Sequence, residues 1–379
     1  MKLLISLSYY SPYVSGVTLY AKILAEAFAK ENTQVTILTS RHDNNLPLEE
    51  KKNDVHIVRV PVELKISKGP IMFGLFKKSV PLIRDTDVLN CHLPQFESAL
   101  LVLVAKCFGK KVIVTYHTDL ADEKQVFKRL IKQVLTLSQM ITCSLADAIV
   151  VQTKDNADHS TFLSHFRQKL IFIYPPVPTP VHVTESIKMQ MDKRMGSADF
   201  FRIGFLGRIA QEKGLEHLFE ALPLVEKQTG KKCHLMIAGP KETIGEQVYN
   251  EKIIALARNE KDSIVFLGLL TEEEKSAFYS SLDVFVLPSI NNTEAFGMVQ
   301  VEAMYSGTPV VATDLPGVRV PIQETGMGEI VEPKDTKALA EAICAVLQNK
   351  KKYVKTSSVI QENFSTEKVF KAYEKLFII

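Results

Sequence analysis

Arg202-Ile203-Gly204-Phe205-Leu206-Gly207-Arg208, followed by Glu212-Lys213-Gly214 and the segment Leu215–Lys227, reads as an apolar strand, a glycine-marked turn and a helix. The same alternation continues downstream. Strands are expected at His234–Ala238, Ile264–Leu267, Val284–Leu287 and Val310–Ala312, and helices at Gln247–Asn259, Thr271–Ser281, Met298–Ser306 and Thr336–Asn349. Upstream, strands are expected at Leu3–Ser8, Gln34–Thr39, Val55–Val60, Val88–His92, Val112–Tyr116, Ala148–Val151 and Leu170–Ile173. Helical spacing lies between several of them, as at Leu19, Ile23, Leu24 and Ala27. Continuously apolar strands alternating with amphipathic helices argue for parallel sheets covered on both faces. The fold class is therefore α/β, with two doubly wound domains in tandem facing each other across a cleft.

The length of 379 residues supports two to three domains. With 46% hydrophobic residues the chain is not mainly disordered, and a net charge of +3 gives no signature of a nucleic-acid binder. The apolar run from Ala99 to Ala105 falls far short of the roughly 20 residues that a bilayer crossing needs. Met1 to Leu7 reads as a first buried strand, not a signal peptide. Cys91, Cys107, Cys143, Cys233 and Cys344 are odd in number and form no CxxC, which favours structural thiols in a reducing, cytoplasmic setting. Residues 1–180 hold 22 Lys+Arg and 16 Asp+Glu, the remainder 24 and 27. That break coincides with Pro175-Pro176-Val177-Pro178-Thr179-Pro180, unsuited to a helix interior or a central strand. The expected organisation is a domain over 1–178, a linker over 179–200, a second domain over 201–362, and a final segment, 363–379, with a helix at Thr366–Phe377.

In an open α/β sheet the ligand sits off the carboxyl ends of the strands, so strand-to-helix turns carry most weight. Arg208 and Lys213 leave one such turn, and together they suit the oxygens of a diphosphate without a metal; two solvated surface charges are the plainer reading. Asn292-Thr293-Glu294-Ala295-Phe296-Gly297 leads into a helix whose first N–H groups, at Gly297, Met298 and Val299, suit an anion. Glu294 and Glu302, eight positions apart, are candidates for hydroxyl recognition; otherwise Glu294 only complements the helix dipole and Glu302 is an exposed helix residue. His117, after Val112-Ile113-Val114, suits a hydrogen bond to a sugar hydroxyl, or is a hydrogen-bonded structural residue. Gly16 opens the way to the N-terminus of the first helix. Asp85-Thr86-Asp87 precedes its strand and so lies at the wrong end of the sheet for a metal-binding DxD. No His/Cys/carboxylate set has metal-site spacing, and GxGxxG, P-loop, GxSxG and kinase motifs are absent.

Taken together, these residues resemble retaining glycosyltransferase family 4, the group-1 glycosyltransferases of GT-B architecture with two Rossmann-like domains. The resemblance is carried by Phe205-Leu206-Gly207-Arg208, Glu212-Lys213-Gly214, Glu294-Ala295-Phe296-Gly297, Glu302-Ala303-Met304 and Gly307-Thr308-Pro309-Val310-Val311-Ala312-Thr313. Pro288-Ser289 and Gly317 extend it; Gly16, Tyr116-His117-Thr118-Asp119 and Asp147-Ala148-Ile149-Val150 match more loosely. It implies an acceptor-binding first domain, a donor-binding second domain, and a C-terminal helix returning to the first. By the same resemblance Arg208 and Lys213 bind the donor diphosphate, and Glu294 touches the donor sugar. Glu302 would hold the ribose, Gly297, Met298 and Val299 offer backbone donors, His117 lies near the donor sugar, and Gly16 near the diphosphate and acceptor. Glu294, His117, Arg208 and Lys213 form the expected catalytic set. Ser15 before Gly16 replaces the family's common Gly-Gly, and Tyr174-Pro175-Pro176-Val177 replaces the common Pro-Asn-Gly hinge.

The implied activity is retaining, metal-independent transfer of a hexose from a nucleotide-diphospho-sugar, with no cofactor, to a hydroxyl acceptor such as a lipid, lipid-linked or glycan group. The alternatives are a nucleotide-sugar epimerase or hydrolase of the same fold, and a non-catalytic sugar-nucleotide binding subunit. Two basic, apolar stretches, Lys65 to Arg84 and Lys124 to Lys132, raise peripheral contact with an anionic membrane at its inner face; ordinary surface helices are the alternative.

Overall fold

The computed structural model describes residues 1–66, 69–120, 126–196, 199–240, 246–259 and 263–378. The chain folds as two α/β units, the first made of Met1–Pro176 with Thr366–Ile379, the second of Val177–Ser365.

The strands of the first unit are β1 (Lys2–Ser6), β2 (Gln34–Arg41), β3 (Glu49–Lys52), β4 (Val55–Pro61), β5 (Leu64–Ile66), β6 (Gly69–Ile71), β7 (Val88–Leu93), β8 (Lys111–Tyr116), β9 (Ala148–Val151) and β10 (Leu170–Phe172). Its first helices are α1 (Gly16–Lys30), α2 (Leu75–Arg84), α3 (Ser98–Cys107), α4 (Val126–Leu145) and α5 (Lys154–His159). Eight strands form one sheet in the order β10-β9-β8-β7-β1-β2-β4-β3, parallel except at the β3–β4 edge. Alternation along β1 shows why both faces are covered. Leu3 and Ile5 join Tyr20, Leu24 and Phe28 of α1 on one side, while Leu4 joins Leu101 and Val102 of α3 on the other. Asp85 and Asp87 lie at the amino end of β7, where they bind the Lys2 ammonium at 2.7 Å and the Lys2 backbone N–H at 2.7 Å.

The second unit runs α6 (Glu185–Met195), β11 (Phe201–Leu206), α7 (Leu215–Thr229), β12 (Cys233–Ala238), α8 (Gln247–Asn259), β13 (Ile264–Gly268), α9 (Glu272–Ser280) and β14 (Val284–Leu287). It continues with α10 (Met298–Tyr305), β15 (Val310–Thr313), α11 (Val320–Thr325), β16 (Gly328–Val331), α12 (Thr336–Gln348), α13 (Lys350–Tyr353) and α14 (Ser357–Phe364). Its six strands are all parallel, ordered β13-β12-β11-β14-β15-β16. The final helix, α15 (Thr366–Ile378), belongs to the first unit.

The expected linker over 179–200 needs correction. Thr184 caps α6, which carries Met191 and Met195 into the interior and packs on α9. Arg194 bonds Glu274 at 2.7 Å and Arg202 bonds Asp192 at 2.5 Å, so this stretch is part of the second unit from Val177 onward. Residues 197 and 198 of that stretch lie outside the described residues.

Candidate active site

Strand order locates the functional edges. In the second unit the order reverses between β11 and β14, and in the first between β1 and β7, so loops leaving these strands part and leave a crevice at their carboxyl ends.

Arg208 and Lys213 follow β11, and Glu294 follows β14. The two loops are tied by the Ile290 N–H, which donates to the Glu212 carbonyl at 2.9 Å, and the β14 loop is held from the end of β15 by Thr313 Oγ1, which donates to the Ser289 carbonyl at 2.7 Å. Gly214 closes the turn at φ +61°, where a Cβ would stand 2.4 Å from the Pro288 carbonyl oxygen, closer than real contacts allow. This stitching brings the Lys213 ammonium onto Glu294 Oε2 as an ion pair; Ser289 Oγ donates to the same oxygen at 3.4 Å. Arg208 Nη2 donates to Glu212 Oε1 at 3.1 Å. Lys213 and Glu294 are largely but not fully covered, and lysine keeps two further N–H donors.

Gly297 precedes α10 at φ +74°; a Cβ there would meet Leu287 at 2.3 Å, so only glycine permits this entry into the helix. The N–H groups at the start of α10, at Met298 and Val299, have no acceptor within the helix. Glu302 lies further along α10 and is 4% exposed, which corrects the view of it as an exposed helix residue. Its Oε1 accepts from Lys275 at 3.1 Å and its Oε2 from the Tyr279 hydroxyl at 2.8 Å. Burial draws the Lys275 ammonium down, yet the Glu302 and Glu272 carboxylates hold it above its ordinary value. Burial, and then Glu302, raise Tyr279 well above a free phenol. Lys275 and Tyr279 escaped the sequence reading; their spacing along α9 leaves them one turn apart, but only the fold points both at Glu302.

In the first unit, Ser15 caps α1 by accepting from the Thr18 N–H at 3.2 Å, which gives its departure from Gly-Gly a local role. Space beside Gly16 is open, with no atom within 4 Å of a Cβ placed there. His117 follows β8 and is 5% exposed. Its Nε2 lies 2.9 Å from His92 Nδ1 and its Nδ1 lies 3.2 Å from Gln152 Nε2, while Tyr20 meets the ring edge-on at a 5.0 Å centroid separation. Both ring nitrogens are thus engaged inside the first unit, and the imidazole holds neither in reserve for a sugar hydroxyl in this arrangement. His117 is thus part of a buried polar chain with His92, Asn90 and Gln152. Its sequence signal is Asn90-Cys91-His92, two polar residues two apart in a strand otherwise apolar. Four of the five cysteines are buried and all are unpaired. Among the described residues no cluster of His, Cys, Asp and Glu is arranged to hold a metal ion.

Residues 190–362 match the family model of group 1 glycosyl transferases, and residues 14–180 match that of glycosyltransferase family 4. The chain belongs to the group-1 glycosyltransferases of family 4, and it is a glycosyltransferase of GT-B fold. It is 26% identical over 348 residues to an uncharacterized glycosyltransferase of Methanocaldococcus jannaschii, covering 89% of this chain and 86% of that one. It is 38% identical over 146 residues to a phosphatidyl-myo-inositol mannosyltransferase of Mycobacterium leprae, covering 38% and 37% of the two. The Anabaena protein Alr3699/HepE, solved with UDP and glucose, superposes with a TM-score of 0.78 at 16% identity, covering 100% of this chain and 99% of its own.

Proposed function

We propose that this glycosyltransferase moves a hexose from a nucleotide-diphospho-sugar to a hydroxyl acceptor, with retention and without a metal ion. The observation that carries this reading is the Lys213–Glu294 pair beside the opening of α10. Departure of a nucleoside diphosphate develops negative charge on phosphate oxygens. Arg208, the spare donors of Lys213 and the N–H groups of Met298 and Val299 supply positive potential where that charge grows. Glu294 accepts from hydroxyls of the sugar, a task its second oxygen can meet while the first stays on Lys213. Glu302 has lone pairs left beyond those given to Lys275 and Tyr279, which suits it to accept from ribose. Gly16 leaves room for ligand at the start of α1, and His117 contributes its fixed place at the end of β8. Retention follows the family resemblance.

The test is calorimetric titration with UDP, GDP and ADP in EDTA, using the intact chain, Arg208→Ala and Lys213→Ala. One nucleotide is expected to bind the intact chain and to be lost in both variants. Binding that needs a divalent cation, or that survives both substitutions, refutes the metal-free diphosphate site.

A lipid or lipid-linked acceptor at an anionic membrane is the finer part of the reading. The relative that acts on a phosphatidyl-inositol, by its name, is consistent with it. So are the neighbouring helices α2, α3 and α4, which leave Phe76, Leu100, Leu103, Leu130, Val134 and Leu137 in solvent together with Lys77, Lys78 and Arg129, and Phe73 (73% exposed) in the turn before α2. On α4 the apolar residues therefore do not all face inward. Lys68 and Lys124, which fall within the two basic stretches, lie outside the described residues, and no described helix is long and apolar enough to cross a membrane. Co-sedimentation with phosphatidylglycerol vesicles should exceed that with phosphatidylcholine vesicles and fall with salt. Equal recovery with both would remove the membrane component.

A further inference from the structure

Asn90 and His92 sit two apart on β7, both buried, and they fix more than their own positions. Asn90 Nδ2 lies 3.1 Å from the Ile113 carbonyl oxygen and 3.0 Å from Thr115 Oγ1. A carbonyl oxygen only accepts, so this end of the amide is the NH2 group and Asn90 Oδ1 points the other way. There it lies 2.9 Å from His92 Nε2, which must carry a proton to make that bond. In a neutral ring the other nitrogen is then bare, so His92 Nδ1 accepts from His117 Nε2 at 2.9 Å. The same step leaves His117 Nδ1 bare to accept from Gln152 Nε2 at 3.2 Å. The Gln152 amide, with its NH2 group turned to the second ring, agrees with the arrangement that Asn90 sets.

We infer that Asn90 is a positioning residue that sets the tautomers of both histidines, holding His117 as a neutral imidazole with its proton on Nε2. Anchored to the backbone carbonyl of Ile113, the amide orients the first ring, and the first ring orients the second. His117 is therefore held uncharged, with both ring nitrogens engaged, at the end of β8.

Neutrality has an independent physical cause. Burial pushes the His117 imidazole down to about 3 and draws His92 well below its ordinary value, with His117 adding to the effect on His92. The groups packed on the two rings are Tyr20 of α1, edge-on to both, with Asn90 and Gln152. None of these is a carboxylate that would favour an imidazolium. The inference uses the interior of the first unit alone, so failure of nucleotide binding leaves it intact.

The test is long-range 1H–15N correlation spectroscopy of the full chain labelled at histidine ring nitrogens, with His92→Gln and His117→Gln to assign the signals. Of the nine histidines, two are expected to show the neutral Nε2–H pattern unchanged from pH 8 to pH 5. A His117 that carries its proton on Nδ1, or titrates within that range, overturns the inference. Asn90→Leu supplies a second readout. It removes both the Ile113 anchor and the acceptor for His92 Nε2–H, so the two rings should no longer hold a single Nε2–H tautomer. A folded Asn90→Leu chain with the His117 tautomer unchanged would leave Asn90 no positioning role.

Discussion

Lys213→Ala is expected to lower kcat/KM for glycosyl transfer by about 10²–10³-fold, the usual cost of losing one preorganised donor to a developing oxyanion. Two effects combine. The substitution removes the ammonium that would meet the leaving diphosphate, and it strips Glu294 Oε2 of its ion-pair partner, leaving Ser289 Oγ at 3.4 Å. Loss of charge stabilisation that is realised only as the C–O bond breaks appears in kcat; disorder of Glu294 against the sugar appears in KM. The split between them therefore reports which effect dominates. Lys213→Arg should recover only part, because a planar fork cannot reproduce a compact ammonium in the space between the β11 and β14 loops. Steady-state rates with the nucleotide-sugar found by calorimetry give the answer. A change of less than threefold would remove Lys213 from the transition state.

The elements that the sequence made legible are those whose side chains had only one place to go. Strands buried on both faces, such as Val284–Leu287 and Val310–Thr313, leave a continuous apolar signal. Edge strand β3 is Glu-Glu-Lys-Lys, held by its antiparallel ladder to β4, and no periodicity betrays it. Strand β16 opens with Gly328-Glu329, and helix α6 buries only Met191 and Met195 while Met189 stands in solvent, so its apolar residues mark no single face. Chemistry followed the same division. Lys213 and Glu294 stood out by residue type and neighbouring glycines, but their contact joins positions 81 apart and needs the β11–β14 reversal to exist. Glu302 was legible as a carboxylate and not as a buried one, because burial depends on Lys275 and Tyr279 from another helix. His117 divides differently. Its position was readable, but its ring chemistry is decided by Asn90, His92 and Gln152, which carry no motif.

Tyr373→Ala is expected to destabilise the first unit by about 3–5 kcal/mol, the range for emptying a buried aromatic site. Although the whole of the second unit, Val177–Ser365, separates α15 from the rest of its unit's chain, it lies in that unit's core: Val369, Tyr373 and Phe377 join Tyr20 and Phe28 of α1 in one buried cluster. The Tyr373 ring is fully covered, between Phe377 at 5.5 Å and Tyr20 at 6.4 Å. Its hydroxyl stands 2.9 Å from Thr115 Oγ1 and 2.8 Å from the Tyr20 hydroxyl. Tyr373→Phe keeps the ring and loses only these bonds, leaving two buried hydroxyls short of a partner at a cost of about 1–3 kcal/mol. The order Ala worse than Phe worse than unchanged separates cavity from hydrogen bond. Urea unfolding followed by a probe in each unit should move the transition of the first unit and spare that of the second. Thr115 also accepts from Asn90, so the Phe variant should loosen Asn90 without turning its amide, which the Ile113 carbonyl still holds. Equal losses for Ala and Phe would mean that the hydroxyl, not the ring, binds α15 to its unit; no loss in either would mean that the helix is dispensable to the core it fills.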